Sequence, residues 1–562
     1  MRRRRKLLSA VVAMLGAILL VAMTACSGIP RSGSVEAGDA IGTDDDIDVI
    51  FLAADPTKGA TQQQILTGFI LAAKSPQDDY QIARRYLTKS AADTWKPNAK
   101  TTVDSGTRPI STVDDTTLDM SVTVVADVDS NGSYSENPPA PPTALRFTFT
   151  QVDGEWRIDG LDDGVVIENA FFDQVFSSHA LYFYDPTFTF LVPDLRWFPT
   201  TTAVGTRVVK ALLAGPTAWL GDGAVVTAFP DGTQTTAVVT SGGQTQVELS
   251  SNVLQSDAVD LVRMQEQLRA SLSDLASASN ITISVDQNAV PIPPSNVRPA
   301  DAAPRVNALP LVLRDNAFGY LTGQSVSPID GISDGVESLQ PLAAAYSATS
   351  ETAAVKAGNG AVWAVRGSTA PAVLDQRAGL IDPAVDPFGY VWSVPAASPT
   401  SVSAYGTDGA AITIPTTWDG ASGITSLEIS RDGTRALAFL SVGGLPRLVV
   451  AAVIRNQDGV PQKLGQPVEL ASGSGAPVDA TWVDQLTVAS ITVLPAGEAR
   501  ARSQQLGGQT SELGAPSGAV TMAGGNDLAG VRVLTSEGGL LQLRGNAWQA
   551  TATGITRLAV QN

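Results

Sequence analysis

A single cysteine in 562 residues, Cys26, stands at the end of an export-type leader, so every later domain must be held together by packing alone. The leader is read from Arg2, Arg3, Arg4, Arg5 and Lys6, an apolar run from Leu7 to Met23, and the small residues Thr24 and Ala25. Basic, apolar, then small is the order of a secretory signal peptide, here residues 1–25. Domains without cross-links need cores larger than those of mini-proteins. The length suffices for three or four such domains.

Met23 to Cys26 resembles the bacterial lipobox, with Met in place of the usual Leu. That resemblance implies that the Cys26 thiol takes a diacylglycerol, the signal is removed, and Cys26 ends as an N-palmitoyl, S-diacylglycerol cysteine. Two or more acyl chains anchor firmly where one holds only marginally. The expected location is therefore the cell membrane, lipid-anchored, on the extracytoplasmic face. The competing reading is an uncleaved membrane helix, for which Leu7 to Met23 sits at the short edge of the roughly 17 to 25 residues a span requires. Arg4, Arg5, Lys6, Leu7 and Leu8 also fit a twin-arginine signal, which leaves the export route open.

The chain carries 37 Lys and Arg against 55 Asp and Glu, a net charge of −18, and losing the five basic residues of the leader takes it to −23. So acidic a chain, with no basic cluster beyond the leader, repels phosphate backbones, and no nucleic-acid partner is expected. A basic partner would be attracted.

Residues 26–48 are small, polar and acidic, without periodicity, and read as a flexible tether. In residues 49–175, Leu66, Phe69, Ile70 and Ala73 lie at helical spacing, and Ile82, Ala83, Tyr86 and Leu87 suggest a second helix. Strands follow at Leu118 to Val128, Leu145 to Gln151 and Trp156 to Ile158. Helices before antiparallel strands mean α+β, and the order is similar to an NTF2-like domain. Asp127, Asp129, Asn131 and Gly132 imitate the start of a calcium loop, but Pro138 stands where a bidentate Glu is required. A strand-to-strand turn is the better reading.

Residues 176–290 give strands at Leu181 to Asp185 and Leu191 to Arg196, a helix at Arg207 to Leu213, and strands at Val225 to Phe229, Thr236 to Thr240 and Gln246 to Leu249. A helix capped by Ser256 or Asp257 carries Leu261, Met264, Leu268, Leu272 and Leu275 on one face, and Ile281 to Val285 closes the segment. LYFYD, LVPDLRWF, ALLAGPTAWL, AVVTAFPDGT, QVELS and MQEQLRASL resemble the α+β GerMN domain. With CSGIPRSGSV at the mature start, the chain resembles the actinobacterial lipoprotein LpqB family throughout. That resemblance implies a surface lipoprotein contacting the MtrB sensor kinase of the MtrAB two-component system, with effects on cell envelope and division.

Pro293, Pro294, Pro299, Pro304 and Pro310 mark residues 291–310 as a semi-rigid linker. In residues 311–562 the short strands Val362 to Val365, Val391 to Val394, Ala436 to Phe439, Leu486 to Ala489 and Leu540 to Leu543 begin 29, 45, 50 and 54 residues apart. This is loosely the period of a four-stranded blade, predicting an all-β propeller of five or six blades, with a β-sandwich pair as the alternative.

Catalytic signatures are sparse. His179 is the only histidine, so an HExxH zinc site is excluded and no metal ligand is assigned. Gly331, Ile332, Ser333, Asp334 and Gly335 form a GxSxG, but a nucleophile elbow requires a strand-to-helix turn and a later histidine, and this stretch reads as β region. The expectation is a binding protein rather than an enzyme, with no cofactor and no assignable interface residues beyond the lipidation site Cys26. The alternative is a wall glycan binder or glycoside hydrolase, which needs two carboxylates and no histidine. Trp363, Trp392, Trp418, Trp482 and Trp548 could then stack sugars, although their apolar strand contexts favour core.

Overall fold

The structure, a computed structural model, describes residues 53–562 except 202, 242, 276–279, 368, 472 and 546. Cys26, the leader and the tether of the sequence reading lie outside the described residues. No helix among the described residues is long and apolar enough to cross a membrane.

The first helix, Gln62–Ala72, starts at a capping box: the Thr61 hydroxyl accepts from the Gln64 amide while the Gln64 side chain accepts from the Thr61 amide. Its buried face, Ile65, Leu66, Phe69 and Ile70, packs on a seven-stranded sheet whose central strand is Thr117–Asp129. The expected helix over Ile82 to Leu87 is broken: Gln81–Arg84 is helical, Leu87 bridges Ile158, and a separate helix runs Lys89–Thr94. Tyr80, in the left-handed region at φ 59°, sets the abrupt start of the short piece. Strands Lys100–Ser105, Ile110–Asp114 and Val165–Glu168 complete the sheet, the first and last pairing in parallel. The turn that imitates a calcium loop joins Thr117–Asp129 to Tyr134–Glu136, with the Asp129 carboxylate accepting from the Asn131 and Ser133 amides and Gly132 at φ 82°.

Next comes the hairpin Phe176–Tyr184 with Leu191–Pro199, and a four-stranded sheet built on Gln244–Leu249 and Ile281–Val285. Helices Val204–Ala214 and Ala258–Ser271 bury Val208, Leu212, Met264 and Leu268 in the shared core. Asp257 caps the second helix through the Val259 and Asp260 amides. The expected strand Val225 to Phe229 is absent: Val226 makes only an isolated bridge to Tyr184, because the chain leaves at once for the Pro230 to Thr233 turn.

The remaining strands form a six-bladed propeller. The innermost strands are Ala343–Ser347, Ala384–Val385, Ala421–Ile429, Ala476–Trp482 and Ala519–Ala523, with Ile555–Gln561 as the sixth. Ile555–Gln561 pairs with Leu311–Arg314, so the last strand completes the first blade and closes the ring. It also pairs in parallel with Ala343–Ser347, which fuses two blades into one eight-stranded sheet. The GxSxG stretch is not β structure as expected: Ser333 opens the helix Ser333–Ser338, and its hydroxyl donates to the Phe318 carbonyl at 2.7 Å. That buried hydroxyl is committed to the backbone.

The proline-rich stretch is pinned at both ends. The Leu191 amide donates to the Asp301 carbonyl and the Asp301 amide to the Thr189 carbonyl, while Val306 exchanges bonds with the Asn526 side chain.

Candidate functional site

Two of the places where polar groups gather among the described residues border a cavity. The first is a junction of the three folded regions. Asp194 and Arg196, both nearly fully buried, pair at 2.7 Å, and Arg196 also donates to the Asn131 carbonyl of the first sheet. The Trp197 indole donates to the Gly507 carbonyl of the propeller at 2.8 Å, and Glu136 accepts from the Thr510 amide and hydroxyl. These bonds join sequence neighbourhoods more than 300 residues apart, and a groove of about 330 Å³ remains between Tyr134, Trp219, Val468 and Gly507. His179 stands on the hairpin here, with its Nε2 at 2.9 Å from the Ser177 hydroxyl. Burial pushes its pKa down, which holds the ring neutral.

The second is the propeller axis. All six innermost strands line a channel of about 90 Å³ that widens into a mouth of about 530 Å³ over Asp382, Val520, Glu537 and Arg557. Three carboxylates line it, Asp382 toward the mouth and Glu428 and Asp479 deeper in the wall. Glu428 Oε2 accepts from the Thr481 hydroxyl and the Trp482 amide, both at 3.0 Å. Asp479 Oδ2 accepts from the Thr521 hydroxyl at 2.6 Å and the Met522 amide at 2.9 Å. Each of the two deeper acids thus reaches from its own blade to the next. Burial, with the Asp479 charge adding to it, pushes the Glu428 carboxyl up to about 8. Burial likewise pushes Asp479 up to about 6, against the lowering of its hydrogen bonds.

A pH dependence follows with a definite sign. A native carboxyl pKa above the unfolded value contributes stability that is complete below the unfolded pKa and lost as pH rises through the native one. For Glu428 that window runs from about 4.5 to about 8. Urea unfolding is expected to show a loss of about 2 kcal/mol from about pH 6 to about pH 8 that Glu428→Gln abolishes. An unchanged slope in the variant would refute the assignment.

A glycan cleft would need paired acids among exposed tryptophans. The acids are present, but Trp392, Trp418 and Trp482 are buried, Trp363 and Trp548 are half-buried, and none lines the channel. At about 90 Å³ the channel is also below the roughly 300–1,000 Å³ of ordinary ligand pockets. Among the described residues no group of three or more His, Cys, Asp or Glu could hold a metal ion. The sequence reading missed Glu428 and Asp479 among 55 acids; the available signal is an acid in an otherwise apolar strand, as in Leu427-Glu428-Ile429.

Residues 55–173 match the family model "Lipoprotein LpqB, N-terminal domain", residues 180–290 "Sporulation and spore germination", and residues 316–558 "Lipoprotein LpqB beta-propeller domain". A relative named lipoprotein LpqB from Thermobifida fusca is 30% identical over 292 residues, covering 49% of this chain and 46% of its own length. One from Cutibacterium acnes is 31% identical over 280 residues, covering 49% and 46%. The chain thus spans about half the length of the curated relatives it matches. Among solved structures, TolB from Acinetobacter baumannii is similar at 14% identity and TM-score 0.34, over 45% of this chain and 66% of that one. The tandem GerMN domains of the sporulation protein GerM from Bacillus subtilis give 11% identity and TM-score 0.18, over 36% and 63%.

Proposed function

Because the chain belongs to the lipoprotein LpqB family, whose N-terminal and β-propeller domain models it matches in order around a germination-type domain, we propose that it is a membrane-anchored lipoprotein acting as a binding protein outside the cytoplasmic membrane. The observation that carries this reading is that domain order. In the proposed division, residues 1–25 are a removed signal, 26–48 a lipidated tether on Cys26, and 49–175, 176–290 and 311–562 the three domains, with 291–310 linking the last two.

The proposed partner is the extracytoplasmic part of a sensor kinase of the MtrB kind, with envelope and division as the processes affected. An acyl anchor supports this reading physically: it confines the protein to the surface where such a kinase presents its outer domain, so that weak contacts suffice. The bonds among the three regions would present a contact surface as one unit. No enzymatic role is proposed; the acids described on the propeller axis line a narrow channel and each is bonded to the neighbouring blade.

Immobilised residues 27–562 are expected to retain the purified outer domain of the sensor kinase, and deletion of the lipoprotein to change kinase output. Absence of both effects would sink the partner assignment.

A further inference from the structure

Asp479 is held on both oxygens, Oδ2 by Thr521 and Met522 and Oδ1 by the Ala480 amide, whereas Glu428 is fastened on one side only. Glu428 Oε2 takes two hydrogen bonds from the next blade, whereas no hydrogen bond reaches Oε1. Two residues earlier on the same face of the strand, the Ser426 hydroxyl is unpartnered although the residue is only 9% exposed. At the deep end, Asn562 spends its Nδ2 on the Ile429 carbonyl and leaves Oδ1 unpartnered. All three residues line the same cavity. A buried oxygen without a partner costs roughly 1–3 kcal/mol, so two in one cavity, Ser426 Oγ and Asn562 Oδ1, beside the unbonded Oε1 of Glu428, describe an occupant that brings donors.

The shape restricts that occupant. The tube is walled by Ala344, Ala345, Val385, Leu558 and Val560, small or apolar groups suited to an alkyl stem and unable to hydrogen-bond it. Its open end lies at the mouth, where Asp382 sits with the Lys356 ammonium at 3.3 Å. A ligand with an apolar stem and a positively charged tip carrying three N–H donors matches acid, hydroxyl and amide oxygen together.

We propose that the propeller axis is a binding site for a primary alkylammonium group, of the size and chemistry of a lysine side chain, with Glu428 as its counter-charge and Ser426 and Asn562 as further acceptors. The site is independent of the kinase assignment. It would be filled by any ligand or basic partner that offers such a chain, and the acidity of the protein favours its approach.

The test uses the purified full chain at about pH 8 and n-butylammonium chloride as probe, with binding read by calorimetry and by the shift of the thermal midpoint. Saturable binding with a raised midpoint is expected. Tetramethylammonium, which has the charge but no N–H donor, should give neither. Glu428→Gln should weaken binding at least tenfold and Ser426→Ala severalfold, and both variants should unfold cooperatively. The site would be overturned by no saturable butylammonium binding, which leaves a water-filled channel, by equal binding of tetramethylammonium, or by undiminished binding in a folded Glu428→Gln. Calcium chloride is the remaining control, and calcium bound in place of butylammonium would overturn it in favour of a metal.

Discussion

Arg455→Met is expected to lower the unfolding free energy by about 3–5 kcal/mol, because it strips one partner from an ion pair that water cannot reach. Arg455 ends the strand Leu445–Arg455, and Asp386 sits in the turn before Val391–Ser393 of the preceding blade. Both side chains are fully buried, with Nη2 and Oδ2 at 2.6 Å. The guanidinium also donates to the Gly433 and Gly459 carbonyls, each at 2.8 Å, and lies 4.6 Å from the centre of the Phe388 ring. Asp386 takes the Phe388 and Tyr390 amides on one oxygen and the Trp392 indole on the other. Those three donors would remain in the variant, but the counter-charge would not. Urea unfolding followed by tryptophan fluorescence measures the loss. Adding Asp386→Asn to Arg455→Met should recover part of it, since the double variant buries no unpaired charge. A loss below about 1 kcal/mol for the single variant would show that the pair does not brace the ring.

The node reaches further than two blades. The Phe388 ring stands edge-on to Phe190 of the hairpin region at 5.9 Å, and a side chain on Gly459 or Gly433 would press on the same ring. Loosening Arg455 therefore disturbs the seat on which the middle region rests, and the same unfolding transition should report both.

What the sequence made legible depended on how far each signal carried along the chain. The helix Gln62–Ala72 and the long helix Ala258–Ser271 show their apolar faces within a dozen residues, and both were readable. Lys100–Ser105 was not, because five of its six residues are polar and Asp104 is buried only through its pair with Arg108. The period read from the sequence is uneven because Val362 to Val365 and Leu540 to Leu543 fall in third strands of their blades, while the stretches beginning at Val391, Ala436 and Leu486 fall in second strands. Second strands alone begin at residues 311, 352, 391, 435, 487 and 532, at intervals of 39 to 52 residues. Glu428 and Asp479 were invisible for a different reason. Each is one acid in one strand, and only closure of the ring places them on a common axis.

The largest functional effect is expected at a residue the described structure does not reach. Cys26→Ala should move the protein from the membrane fraction to the soluble one, because Cys26 is the only thiol that can carry a diacylglycerol. Each buried methylene is worth about 0.8 kcal/mol of membrane affinity, so losing two or more acyl chains removes far more than any surface contact could replace. Folding should be unaffected, since the described body begins beyond the tether and uses no disulfide. The variant should therefore unfold at the wild-type urea midpoint while failing to incorporate a fatty-acid probe. Met23, where the lipobox departs from Leu, supplies the contrast: Met23→Leu should speed signal cleavage without changing the final location. If Cys26→Ala stayed in the membrane as fully as wild type, the run from Leu7 to Met23 would have to be the anchor, and the body would then hang from a peptide span rather than a lipid.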